Sequence, residues 1–157
     1  MAIELSTAGV KLMYAVEANA GTRPTAASAY TDLKGVKSIP SLNPAPDSLE
    51  TTDLSQTEFK TYVDGLKDMG GALEFTANLT TDFQTLWSSL VTAYTTGKAT
   101  SKATWFAVVV PGLTNAFYFK GNPSAMGMPS IEVNSVLETS VYITPTGVEG
   151  WAAKPTT

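Results

Sequence analysis

Hydrophobic and polar residues alternate with period two over much of this chain. Val10, Leu12, Tyr14 and Val16 take turns with Lys11, Met13, Ala15 and Glu17, which predicts a half-buried strand. Residues 33–39 predict a second strand, closed by Pro40. The cleanest alternation sets Leu73, Phe75, Ala77 and Leu79 against Glu74, Thr76 and Asn78. Further strands are predicted over 103–110, 116–120 and 131–144. In the last of these Ile131, Val133, Leu137, Val141 and Ile143 share one face with Ser135 and Thr139, while Glu132, Asn134, Glu138 and Ser140 lie on the other with Val136 and Tyr142. Gly127, Pro129, Pro145 and Gly147 mark turns between these runs.

The period changes once. Phe83, Leu86, Trp87, Leu90, Val91 and Tyr94 recur at three- and four-residue spacing, the apolar stripe of a helix over about 81–96. Thr80, Thr81 and Asp82 offer N-cap oxygens, and Gly97 stands where a C-terminal cap belongs. Burying six such side chains is worth on the order of 10 kcal/mol before conformational entropy is subtracted. The stripe is therefore expected to anchor a core against a sheet. Fold class follows: mainly β, a sandwich or barrel-forming domain with one flanking helix, occupying the 157 residues as a single domain with a short flexible C-terminal tail.

One stretch fits neither period. Pro40, Pro44 and Pro46 impose an extended path on residues 40–49. Residues 50–71 follow as a long loop or projecting hairpin, with Gly70-Gly71 as a hinge. Insertions of this length in a small domain are commonly functional. Charge reinforces the point. Residues 47–68 hold six acids, Asp47, Glu50, Asp53, Glu58, Asp64 and Asp68, against Lys60 and Lys67, which equals the chain's entire net charge of −4. The remainder is balanced, with nothing like the basic stripe of a nucleic-acid reader.

Composition narrows the chemistry. Only 15% of residues are charged while 43% are hydrophobic, so much of the surface is expected to be covered in the working state. Cysteine and histidine are both absent, which removes disulfides, thiol nucleophiles, Cys/His zinc sites and the commonest general base. Asp64-Gly65-Leu66-Lys67-Asp68 lacks the register of a calcium loop, and the glycines at 65, 70 and 71 lack phosphate-loop spacing. No Gly-x-Ser-x-Gly elbow occurs. The expectation is therefore no catalytic residue, no metal and no cofactor. Tyr14, Phe75, Trp105, Phe106, Phe117, Tyr118 and Phe119 are read as core or interface aromatics, since base-stacking platforms sit in basic grooves and the lysines here are scattered. The longest apolar run, 105–110, is far shorter than a membrane-spanning helix requires, and Met1-Ala2-Ile3-Glu4 carries no export signal, so synthesis in a cytoplasm and no membrane partner are expected.

Several short sequences, taken in order, resemble a known family. They are Tyr14-Ala-Val-Glu17 followed by Gly21-Thr-Arg-Pro24, Ile39-Pro40 with Leu42, Ser48-Leu49-Glu50-Thr51-Thr52, Lys60-Thr-Tyr-Val63, and Gly65-Leu66-Lys67-Asp68 before Gly70-Gly71. In this order and spacing the chain is similar to the major tail tube proteins of long-tailed bacteriophages of Gram-positive hosts. The resemblance implies a virion-tail protein that forms hexameric rings stacked into a tube. The tube would enclose a tape measure protein, meet tail terminator and tail-tip proteins at its ends, and conduct viral DNA without sequence-specific binding. It also implies an inter-ring or inter-subunit arm, assigned here to Glu50, Asp53, Glu58, Phe59, Lys60, Tyr62, Asp64, Lys67 and Asp68. A wall that lets DNA slide must avoid cations that would hold phosphate. Glu74, Thr76, Asn78, Glu132, Asn134 and Glu138 are the expected lumen-facing residues. Two alternatives stay open: a tube subunit of a contractile tail or secretion machine, and a monomeric β-sandwich binding module.

Overall fold

A computed structural model describes residues 5–156. Residues 1–4, which carry the N-terminal sequence considered above, and Thr157 lie outside the described residues. The domain is mainly β with one long helix, as the patterning predicts. Eight strand segments and the helix carry the architecture: β1 (Lys11–Val16), β2 (Thr31–Asp32), β3 (Val36–Ser38), β4 (Pro46–Glu50), β5 (Tyr62–Lys67), β6 (Leu73–Asn78), α1 (Thr81–Lys98), β7 (Thr104–Val109) and β8 (Asn115–Pro123), followed by a ninth strand, β9 (Glu138–Ala153). Seven strands form one antiparallel sheet in the order β2-β1-β7-β8-β9-β6-β3, and β4 and β5 pair only with each other.

The sheet curls into a half-barrel around α1. Leu12 and Tyr14 of β1, Phe106, Phe119, Leu73, Phe75, Val141 and Ile143 meet Phe83, Trp87 and Leu90 of the helix in one buried cluster, although β1 and β6 stand four strands apart. Leu86 and Val91 pack at its margin and Tyr94 is half-buried, so the predicted stripe faces the core. Thr80 caps the helix by accepting from the Phe83 N–H at 3.1 Å. Trp87 Nε1 donates to the Ser124 carbonyl at 2.8 Å, which ties the helix to the segment after β8.

Gly97 plays a different part from the cap expected of it. The helix runs through it to Lys98, and a Cβ at this position would lie 2.7 Å from Val16 Cγ1 and 3.2 Å from the Lys102 carbonyl oxygen. Close packing against β1 requires glycine here, rather than a left-handed cap.

Three strand predictions need correction. Residues 33–39 do not form one strand: β2 and β3 lie on opposite edges of the sheet, joined across Gly35 at φ +100°. Residues 131–137 are not part of the last strand. The β6–β9 ladder ends at Asn78↔Glu138, followed by a single Leu79 N–H to Leu137 carbonyl bond, because β6 gives way to the helix. Alternation without a partner strand leaves 131–137 as a loop, turned at Val133-Asn134 with Asn134 at φ +58°. Conversely, β9 continues through Pro145 and Gly147, which the sequence reading placed in turns. Two bulges against β8 take up the extra residues Thr146 and Glu149 and bend the strand without ending it. The C-terminal tail, expected to be flexible, is held at Thr156, whose N–H donates to the Thr25 carbonyl and whose carbonyl accepts from Ala27 N–H.

The resemblance motif Tyr14–Glu17 with Gly21–Pro24 has a structural explanation. Ala15, Tyr30, Trp105, Ala107, Ala116 and Tyr118 form a second small core on the sheet face opposite the helix. Arg23 closes it, its guanidinium 4.1 Å from the Tyr118 ring centroid and its Nε 2.8 Å from Glu149. Tyr30 Oη donates to the Pro24 carbonyl at 2.7 Å. Burial, the largest influence, raises the Tyr30 phenol. Glu17, placed on the polar side by alternation, is buried at 4% exposure beneath this cover.

Candidate assembly surfaces

Two of the surfaces expected from the sequence can be followed among the described residues. The first is the arm. Past the β4–β5 ladder, which pairs Leu49 with Val63 and Glu50 with Tyr62, the hairpin is extended by threonines. The Thr51 N–H reaches the Thr61 carbonyl at 2.7 Å, and the Thr61 N–H reaches Thr52 Oγ1 at 2.8 Å. Asp53 organises the tip by accepting from the Ser55 hydroxyl and N–H, and these bonds hold its carboxyl below the usual range. Glu50, Asp53, Glu58, Phe59, Lys60, Tyr62, Asp64, Lys67 and Asp68 are all exposed. Phe59 is 77% and Leu66 86% exposed, an unusual disposition for large apolar side chains on a hairpin with no core of its own. Gly70 and Gly71, at φ +84° and +82°, turn the chain back into β6, and Asp68 accepts from the Gly70 N–H at 2.8 Å.

The second surface is a polar wall. On β6 and the start of β9, register places Glu74 opposite Tyr142, Thr76 opposite Ser140, and Asn78 opposite Glu138, all on the face turned away from the helix. Ser140 Oγ donates to Glu74 Oε1 at 2.9 Å, and Lys37 of the neighbouring edge pairs with Glu138. Register therefore brings four of the six predicted wall residues onto one face, Glu74, Thr76, Asn78 and Glu138, although Asn78 is half-buried and its Oδ1 is shut off from solvent. Glu132 and Asn134 do not join them, since they sit in the 131–137 loop, where no ladder fixes a face. The wall is also narrower than alternation implies. On β1, β7 and β8 the same face is roofed by the second core.

Sequence reasoning missed a third feature, the loop between β8 and β9. Its Met128, Ile131, Val133 and Val136 are exposed, Val133 at 89%. Strand-like alternation concealed it. Pro129 and Asn134-Ser135 carry the turn chemistry that could have revealed it.

Among the described residues, no group of three or more acidic side chains is disposed to hold a metal ion. The described helix is not apolar enough to cross a membrane.

No family model and no curated protein sequence matches the chain. The fold does have a solved counterpart. One chain in the cryo-EM structure of the anti-feeding prophage (AFP) baseplate, 6-fold symmetrised, superposes with a TM-score of 0.62, covering 98% of this chain and 98% of that one. Identity over the match is 7%. The likeness is therefore one of fold. It extends over the whole domain, with no large part of either chain left over.

Proposed function

We propose that this chain is a structural subunit of a phage-type tail, without catalytic activity, that forms hexameric rings stacking into a tail tube. The end-to-end match to a chain of a six-fold symmetrised, prophage-derived baseplate carries this reading. It is supported by a charge-poor composition, by an arm whose tip, residues 51–61, belongs to neither core cluster, and by a curled sheet whose polar wall is confined to β6, β9 and the β3 edge. In a ring, neighbouring subunits cover sheet edges that would otherwise template aggregation. Stacking is a heterologous contact and so extends into a filament. Tape measure, tail terminator and tail-tip proteins are the partners of such a tube, and DNA passes through it.

The wall explains passage. Carboxylates and hydroxyls at Glu74, Thr76, Glu138 and Ser140 offer DNA no counterion-releasing cation, and Lys37 is neutralised by Glu138. A second reading, a tube subunit of a contractile tail or secretion machine, is served by the same fold. A sheath gene beside this one in the genome would select it.

Purified protein concentrated with a tail-tip initiator should give hollow rings or tubes with six-fold end views in negative stain. Small monodisperse particles alone would point instead to a monomeric binding module. Once tubes are in hand, Glu74→Lys combined with Glu138→Lys should leave them intact while slowing genome delivery in an infection assay. Normal delivery through normal tubes would remove these residues from the lumen.

A further inference from the structure

The exposed β8–β9 loop and a wide groove beside the later half of β9 are matched in chemistry and lie apart along the same strand. The groove, of about 920 Å³, runs between the base of the arm and the far end of β8–β9. Leu66, Phe117, Val148 and Trp151 supply its apolar lining, and Asp47 and Lys67 stand at its rim. Phe117 and Trp151 meet edge-to-face at 5.5 Å, yet Trp151 stays 58% exposed. A tryptophan held in place but left open to water is the kind of residue that anchors protein interfaces. The loop is the complementary surface. Residues 128–137 present Met128, Ile131, Val133 and Val136 to solvent with Glu132 as the only charge.

Loop and groove cannot meet within one molecule. The loop enters β9 at Glu138, whereas the groove is lined by β9 residues from Pro145 to Trp151, seven to thirteen residues further along a continuous strand. At about 3.3 Å per residue the near edge of the groove is roughly 20 Å from the loop, and Trp151 roughly twice as far. The loop is also held at its own end of the sheet, where Met128 and Pro129 border Thr76 and Tyr142.

We infer that the 128–137 loop of one copy seats in the Leu66–Phe117–Val148–Trp151 groove of the next copy. A knob at one end and a hole at the other make a head-to-tail contact that either closes a ring or propagates a stack. Asp47 and Asp68 beside the groove leave little to attract nucleic acid, and an apolar loop carrying a single charge, Glu132, is the occupant that a Trp-lined groove desolvates at low cost. This contact is separate from the arm tip and rests on the tube reading, because only an assembling subunit needs both halves.

The chain contains no cysteine, so cross-linking can be read cleanly. Val133→Cys combined with Val148→Cys, treated with a short bis-maleimide under assembly conditions, should give a ladder of covalent multimers on a denaturing gel. Each single-cysteine variant should remain at monomer and dimer bands, and the double variant diluted below assembly should stay monomeric. Val133→Asp, a change at an exposed position, should retain the wild-type circular dichroism spectrum and melting temperature while failing to form tubes. Tubes that form normally with Val133→Asp, with no ladder from the double-cysteine variant, would overturn the loop-and-groove contact and leave the tube reading standing. Wild-type protein that forms neither rings nor tubes, together with no ladder, would overturn both.

Discussion

Replacing Glu17 by Gln is expected to cost about 2 kcal/mol at neutral pH, and replacing it by Ala about 3–5 kcal/mol. The Glu17 carboxylate is the knot of the second core. Oε1 accepts from the Ala103 N–H at 2.9 Å and the Gly21 N–H at 3.0 Å, and Oε2 accepts from Trp105 Nε1 at 2.9 Å. It joins the end of β1, the turn after it and the start of β7, segments far apart in sequence. Alanine would leave all three donors unpaired in a site with little access to water. Glutamine keeps one acceptor for the two backbone donors but turns its NH₂ toward the indole N–H, so donor faces donor. Trp105→Phe should accordingly cost less in the Glu17→Gln background than in wild type, a coupling that a double-mutant cycle measures.

The same site sets a pH dependence. Burial pushes the Glu17 carboxyl up, but hydrogen bonds from Trp105, Ala103 and Gly21, aided by Lys120, outweigh it, and the net shift is downward. A glutamate lowered in the folded state contributes stability that is complete above its unfolded value of about 4.3 and disappears as pH falls through the lower folded value. Urea denaturation midpoints of wild type and Glu17→Gln should differ by a constant amount from about pH 5.5 to 8 and draw progressively together as pH falls below about 4.3. A gap independent of pH down to 3 would mean that the carboxylate charge contributes nothing at this site.

Removing the arm tip should have the opposite profile: no loss of stability and complete loss of assembly. Glu50 and Tyr62 are paired across the β4–β5 ladder, so residues 51–61 can be replaced by Asn-Gly, the two-residue turn that suits a hairpin at that register. Nothing between 51 and 61 belongs to either core cluster. The melting temperature should stay within about two degrees of wild type, corresponding to roughly 0.5 kcal/mol. Tubes should be absent by negative stain, because the deletion takes away Leu54 and Phe59, the apolar side chains the hairpin exposes at its tip. Wild-type tubes from the shortened chain would remove the arm tip from the assembly contacts. A large fall in melting temperature would show that the tip supports its own domain.

The contrast between these two variants separates what the chain needs to fold from what it exposes beyond folding. Phe83, Trp87 and Leu90 announce their helix, and Leu73, Phe75 and Ala77 their strand, because periodicity records which side of an element meets the core. The arm is legible too, since prolines, paired glycines and concentrated acids are properties of the local chain. The sequence by itself therefore determined the mainly β class, the one helix and the existence of a projecting hairpin. Everything that depends on a partner strand or a neighbouring backbone was left to tertiary structure. Residues 131–137 alternate as well as any strand, but β6 has already turned into α1 and offers them nothing to pair with. Gly97 looks like a cap until Val16 is brought against it. Glu17 has the alternation of a solvent-facing residue and lies instead beneath a cover built from residues 21–30, whose placement is fixed by contacts with Trp105 and Tyr118 roughly ninety positions away. Period two says that a strand has two faces; only the folded chain decides which of them meets water.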